Sequence, residues 1–144
     1  MTWRVERAAI MYPVTKEHFD RIAGGKTAFC KYVGASLPKI GAGAMLLFYQ
    51  TGGSRTVIGE GRIKALERTT PDAALAKYGE RLFLTKVELA AYSGSRHRTP
   101  RSTFMVFSLD SVREFGTPVA RTKPLTMAGL TLTRRQYANS FRHR

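Results

Sequence analysis

Hydrophobic positions change their period several times along this chain, and each change marks an element. Residues 4–14, RVERAAIMYPV, alternate weakly up to Pro13 and predict a first strand. Thr15 then offers a helix N-cap, Glu17 and Asp20 stand where carboxylates favour a helix dipole, and Phe19 and Ile22 share one face. Gly24-Gly25 ends that helix, and a strand over 26–33 follows. Residues 34–43 read as a glycine-containing loop, and AMLLFYQT at 44–51 predicts a buried strand. A Gly52-Gly53 turn leads into a long strand, RTVIGEGRIKALER, in which Gly59 and Gly61 flank Glu60 as at a bulge or tight bend. A helix is expected over 70–80, capped by Thr70 with Pro71 at its first position, and another after Thr85 through KVELAAY. A polar loop at 93–103, a strand at 104–112, an extended turn-rich stretch to Pro124 and a helix within 132–141, with Thr133 near its start, complete the chain.

Strands joined mostly by hairpins, with short helices between them, predict an α+β domain built on a curved, mostly antiparallel sheet or small barrel. The 144 residues suit a single domain, 1–144, and 43% hydrophobic content is enough for a packed core. The longest apolar run, AMLLFY, is far too short to span a bilayer, so a cytoplasmic protein without membrane attachment is expected. Cys30 is the single cysteine, which excludes an intrachain disulfide and a multi-cysteine metal site. His18, His97 and His143 share no metal-ligand spacing, so neither a metal nor a cofactor is expected.

Charge changes the picture most. Lys and Arg outnumber Asp and Glu by 24 to 10, a formal net charge of +14. A field of that sign attracts polyanions over about a Debye length, and nucleic acid is the most abundant of them. Over residues 93–144 ten Lys or Arg stand against Asp110 and Glu114, a local net charge of +8. Arg96, Arg98 and Arg101 on a polar loop suit phosphate contacts, and Arg134-Arg135 on the last helix can extend that patch.

The stretch AGGKTAFCK at 23–31 poses the sharpest question, because Gly-Lys-Thr ends phosphate-binding loops. Such a loop requires a glycine five residues before the Gly-Lys pair, and that position is Asp20. It also requires a helix after the lysine, whereas here a helix precedes the glycines and a strand follows them. A mononucleotide loop is therefore excluded. On the strand, period-two alternation sends Lys26, Ala28 and Cys30 to one face and Thr27, Phe29 and Lys31 to the other.

Gly25-Lys26-Thr27 with Lys31 resembles the Gly-x-Lys-Thr-x-Glu-x-Arg signature of ASCH domains, which are PUA-like small barrels. More of the chain resembles an archaeal PUA-like family, domain of unknown function 365. The residues carrying that likeness are Tyr12-Pro13, Gly25-Lys26, Phe29, Lys31-Tyr32, Phe48-Tyr49, Gly59-Glu60, the KYGERLFLTK stretch, Thr126-Met127-Ala128-Gly129, Thr133 and Tyr137. The resemblance implies an ASCH-like barrel with short peripheral helices and an RNA- or nucleotide-binding cleft holding Lys26, Thr27, Lys31, Tyr32 and Tyr49. Tyrosines there would stack on unpaired bases. It also implies an alternative, hydrolysis of an acylated or modified nucleoside by Lys26, Thr27 and Glu60. Phe29 occupies the signature glutamate and Lys31 the arginine, so binding is the expectation placed first. Docking of the basic face on an acidic protein is a third reading.

Overall fold

The computed structural model describes residues 7–33, 40–52, 55–94, 103–121, 125 and 129–141. Strand β1 spans Arg7–Val14, and helix α1 spans Lys16–Ala23. Strands β2 (Ala28–Val33), β3 (Met45–Gln50) and β4 (Thr56–Arg68) follow. Helix α2 (Pro71–Tyr78) runs into a short 3₁₀ turn, Gly79–Arg81, and then helix α3 (Lys86–Ser93). The chain ends with β5 (Thr103–Ala120), β6 (Leu130–Thr133) and α4 (Arg134–Ser140).

Each helix starts where a threonine side chain takes up a free backbone N–H. Thr15, Thr70, Thr85 and Thr133 accept from His18, Ala73, Glu88 and Gln136 respectively, and the last two complete capping boxes. Helix α1 closes as a Schellman motif. Gly25 donates to the Ile22 carbonyl and Lys26 to that of Arg21, with Gly25 at φ +123°, a conformation open mainly to glycine.

The six strands form one mixed sheet in the order β2-β5-β4-β3-β1-β6. Every pairing is antiparallel except β1 with β3, which run parallel from Ala9↔Met45 to Val14↔Gln50. The sheet is open, which corrects the expectation of a barrel. Among the described residues strand β6, four residues long, pairs with β1 alone, while the edge of β2 is taken up by non-strand groups. There the Phe83 N–H donates to the Ala28 carbonyl, and the Tyr32 N–H donates to the Tyr92 phenol.

The sheet nevertheless curls strongly. Register shifts interrupt β4–β5 at three places, one of them between Glu60 and Arg62, where Gly61 faces Ser111 and Val112. Ser111 is in the left-handed region at φ 52°, and a Cβ on Gly61 would lie 3.1 Å from Val112. The long β5 also replaces the separate strand and turn-rich stretch expected over 104–124. As a result Tyr12 on β1 meets Phe29 on β2 at 6.0 Å, although three strands separate them in the sheet.

Alternation along the strands divides the apolar residues between two cores. Ile10, Tyr12, Phe29, Leu46, Phe48, Ile63 and Phe107 fill the concave side, closed by Phe19 and Ile22 of α1 and Leu89 of α3. Ala9, Met11, Leu47, Tyr49, Val57 and Phe115 face the other side, under Phe141 and the half-buried Tyr137 at and within α4. Gly59 lets α1 approach: a Cβ there would come within 2.4 Å of the Phe19 ring. Helix α2 is tied to β4 through Glu67, which accepts from the Tyr78 phenol at 2.6 Å and from Lys77 at 2.7 Å.

Candidate functional site

The end of α1 sets the position of Lys26. The Schellman turn ejects it from the helix axis toward the 3₁₀ turn, where its Nζ donates to the Glu80 carbonyl at 2.9 Å. Lys26 lies on the rim of a cavity of about 320 Å³ between α1 and the α2–α3 connection. Arg21 and Lys86 supply further cations, and Leu75, Leu82, Phe83 and Leu84 line the apolar wall. That volume matches small-ligand sites, and an apolar wall under a cationic rim suits a base carrying phosphate.

The three cations are not equivalent. Arg21 is committed: it donates to Glu17 at 3.0 Å, to Glu88 at 2.5 Å and to the Phe83 carbonyl at 3.1 Å. The Arg21 guanidinium, helped by the Thr85 N–H, holds the Glu88 carboxyl down at about 2. His18 stands 3.6 Å from the other Glu88 oxygen and packs edge-on against Phe83. Lys26 and Lys86 are exposed, and neither has a carboxylate partner among the described residues. Arg21 and Glu88 thus brace the wall, while the two lysines leave their charge to solvent.

Thr27 follows Lys26 and is half-buried, with its carbonyl taking the Leu109 N–H. Lys31 and Tyr32 lie toward the other end of β2. Lys31 is 6% exposed, its Nζ 4.9 Å from the centre of the Tyr12 ring. Burial pulls its ammonium down to about 8. Tyr32 is half-buried against Tyr92 and Phe104, at 5.3 and 5.1 Å between ring centres. Tyr49 is 4% exposed and belongs to the core beneath α4, so it does not join Lys26. Arg134 and Arg135 are exposed on α4, on that same opposite side. Arg96, Arg98 and Arg101 lie outside the described residues.

Glu60 is separated from Lys26 as well. Its two neighbours Gly59 and Gly61 face Phe19 and Leu109 on the concave side, so the Glu60 side chain points to the α4 side. It is 4% exposed and fully engaged, accepting from the Tyr137 phenol at 2.6 Å and from Arg113 Nε at 3.0 Å. Lys26, Thr27 and Glu60 therefore do not converge on one cleft. Phe29, in the place of the signature glutamate, sits at the middle of a ring cluster with Phe83, Phe48, Tyr12 and Phe107, which leaves no acid there. The buried Cys30 thiol is pushed up to about 12 by desolvation and is a poor nucleophile at neutral pH. Among the described residues no three His, Cys, Asp or Glu side chains gather as a metal site, and no helix is long and apolar enough to cross a membrane.

Residues of the groove other than Lys26 escaped the sequence reading. Arg21, Phe83 and Lys86 come from α1 and from the α2–α3 connection, and only the tertiary fold brings them together. KYGERLFLTK, one of the stretches that carry the family likeness, supplies most of that wall.

The model of the family described as Domain of unknown function (DUF365) matches residues 7–134, and the chain belongs to that family. No curated protein matches it. Among solved structures, a single-residue variant of ZmASCH from Zymomonas mobilis superposes with a TM-score of 0.75 at 16% identity, covering 92% of this chain and 96% of that one. A second ZmASCH variant gives 0.73 at 16% identity, covering 94% and 96%. Another structure of ASCH from the same organism gives 0.58 at 18% identity, covering 92% and 78%. These likenesses show an ASCH-like fold.

Proposed function

We propose that this member of the DUF365 family is a nucleic-acid-binding module that takes structured RNA, or a nucleotide unit of it, in the groove around Lys26. The observation that carries the reading is the pair of exposed lysines, Lys26 and Lys86, without a carboxylate partner among the described residues, above an apolar wall that includes Phe83. A net charge of +14 supplies the long-range attraction, and the groove supplies a place where one base and its phosphate fit. Arg134-Arg135 on α4, and Arg96, Arg98 and Arg101 outside the described residues, would contribute contacts to backbone phosphate. The dispersed positions of Lys26, Thr27 and Glu60 give no support to hydrolysis.

Equilibrium binding of a structured RNA at moderate salt tests the reading. Lys26→Ala with Lys86→Ala should weaken binding by about tenfold or more, at roughly 1 kcal/mol per lost phosphate contact. The exposed Lys64, on β4, provides the control: Lys64→Ala removes a charge but leaves the groove intact. Equal losses in the two variants would reduce the groove to a share of diffuse charge and defeat the proposal.

A further inference from the structure

Charge around the groove is balanced, although the molecule is not. Arg21, Lys26 and Lys86 line it, against Glu80 in the same lining and Glu17 and Glu88, both bonded to Arg21. Three cations thus meet three carboxylates in a chain of net charge +14. A groove poised near zero changes sign with one proton, and the group placed to take that proton is His18 on α1.

Glu88 is the junction. Its Oε1 accepts from Arg21 at 2.5 Å and from the Thr85 N–H at 2.8 Å, which fixes the carboxylate at the start of α3. Its Oε2 lies 3.6 Å from His18 Nε2, too far for a hydrogen bond but within ion-pair range once the imidazole is protonated. Glu88, held at about 2 by Arg21 and the Thr85 cap, is charged wherever a histidine changes its charge. Among the described residues Glu88 is the carboxylate that His18 meets. On α1 itself Glu17 pairs with Arg21 and Asp20 with Lys16, and Glu114 of β5 also meets Lys16. Strand β4 approaches α1 through Gly59, which brings no charge. The His18 ring stands edge-on to Phe83 of the groove wall, 5.4 Å between centres.

We propose that His18 is a proton-operated control on RNA binding in the groove, an inference that rests on RNA occupying that groove. With the imidazole neutral, Arg21 holds one Glu88 oxygen, and the charge on the other repels an incoming phosphate. With the imidazole protonated, His18 and Arg21 take one oxygen each, and the groove gains one positive charge. Histidine ordinarily changes charge between about pH 5 and 8. RNA affinity should therefore rise as pH falls through that window, and binding should draw protons from solvent.

The test is equilibrium binding of a structured RNA hairpin to the full chain across about pH 5 to 8 at constant ionic strength. Calorimetry in two buffers of different ionisation enthalpy counts the protons taken up. Wild type should bind about three- to tenfold tighter at the acid end, and His18→Gln should lose most of that gain and of the proton uptake. His97 and His143 are retained in the variant, so the difference belongs to His18. Glu88→Gln keeps a side chain able to complete the Thr85 capping box, and at the alkaline end it should bind as tightly as protonated wild type. A pH response in His18→Gln equal to wild type, or an unchanged alkaline affinity in Glu88→Gln, overturns the proposal. It leaves the groove reading standing if Lys26→Ala with Lys86→Ala still weakens binding. A response lost in His18→Gln while that double variant binds like wild type would place the effect outside the groove and overturn both.

Discussion

Lys31 is the residue whose chemistry sets it apart from its neighbours. An ordinary lysine would be more stable exposed, and burial lowers the Lys31 ammonium from 10.5 to about 8. The folded amine is lowered, so the folded state holds fewer protons than the unfolded chain between those two values. Stability should therefore rise with pH from about 8 to about 10.5, relative to a chain without that amine. Lys31→Met should stabilise the protein at pH 7 by about 1–3 kcal/mol, since it removes a desolvated charge and keeps the volume. It should also abolish that alkaline rise, as chemical denaturation across the pH range would show. A variant no more stable than wild type at pH 7 would mean that the amine is not held against its preference. Glu60 makes the opposite case. Its carboxylate joins β4, β5 and α4, so Glu60→Gln should weaken the Arg113 and Tyr137 bonds and lower stability by about 1–3 kcal/mol. Period-two alternation placed Lys31 beside Phe29, as found. Its partner Tyr12 belongs to a strand some twenty residues earlier, and no local pattern reports such a contact.

Among the elements, the helices were the most legible. Thr15, Thr70, Thr85 and Thr133 cap the helices they were expected to cap, because a cap is a bond within four residues. The Gly24-Gly25 stop was legible for the same reason. Gly25→Ala, at φ +123°, should lower stability by about 1 kcal/mol and move Lys26 off the groove. The start of α3 carries a pH dependence. Arg21 and the Thr85 cap lower Glu88 from 4.5 to about 2, so their contribution is complete above about pH 4.5 and lost as pH falls toward 2. About a third of the Glu88 side chain is exposed, which screens the pair to roughly 0.2–1 kcal/mol. Glu88→Gln should flatten the acid limb of the stability curve by that amount. A limb as steep in the variant as in wild type would assign the acid loss to other carboxylates. Long-range pairing was not legible. The parallel β1–β3 ladder, the unbroken β5 and the short β6 depend on partners far along the chain, and the turn-forming Gly116 and Pro118 concealed the continuity of β5.

At the scale of the whole molecule, the α+β class and the curl of the sheet were readable from Gly59-Glu60-Gly61, whose bulge is present. Closure was not readable, because the groups that occupy the β2 edge are the Phe83 N–H and the Tyr92 phenol, which belong to no strand. The same packing of 79–86 against α1 creates the groove, so its wall and the open edge have one cause. Of the sites inferred from the sequence, Lys26 stands at the groove, Lys31 at a separate place on the concave side, and Glu60 and Tyr49 beneath α4. The +14 charge surrounds all of them, and any polyanion would feel it. What separates a specific groove from that field is the number of counterions released when RNA binds. The decisive measurement is the salt dependence of RNA affinity for wild type and for the Lys26→Ala, Lys86→Ala variant. Each phosphate contact contributes roughly 0.7–0.9 to the slope of log K against log salt. The variant should show a slope shallower by about two contacts, while Lys64→Ala retains nearly the full slope. A slope that is the same in the groove variant and in wild type would contradict the claim that RNA occupies the groove.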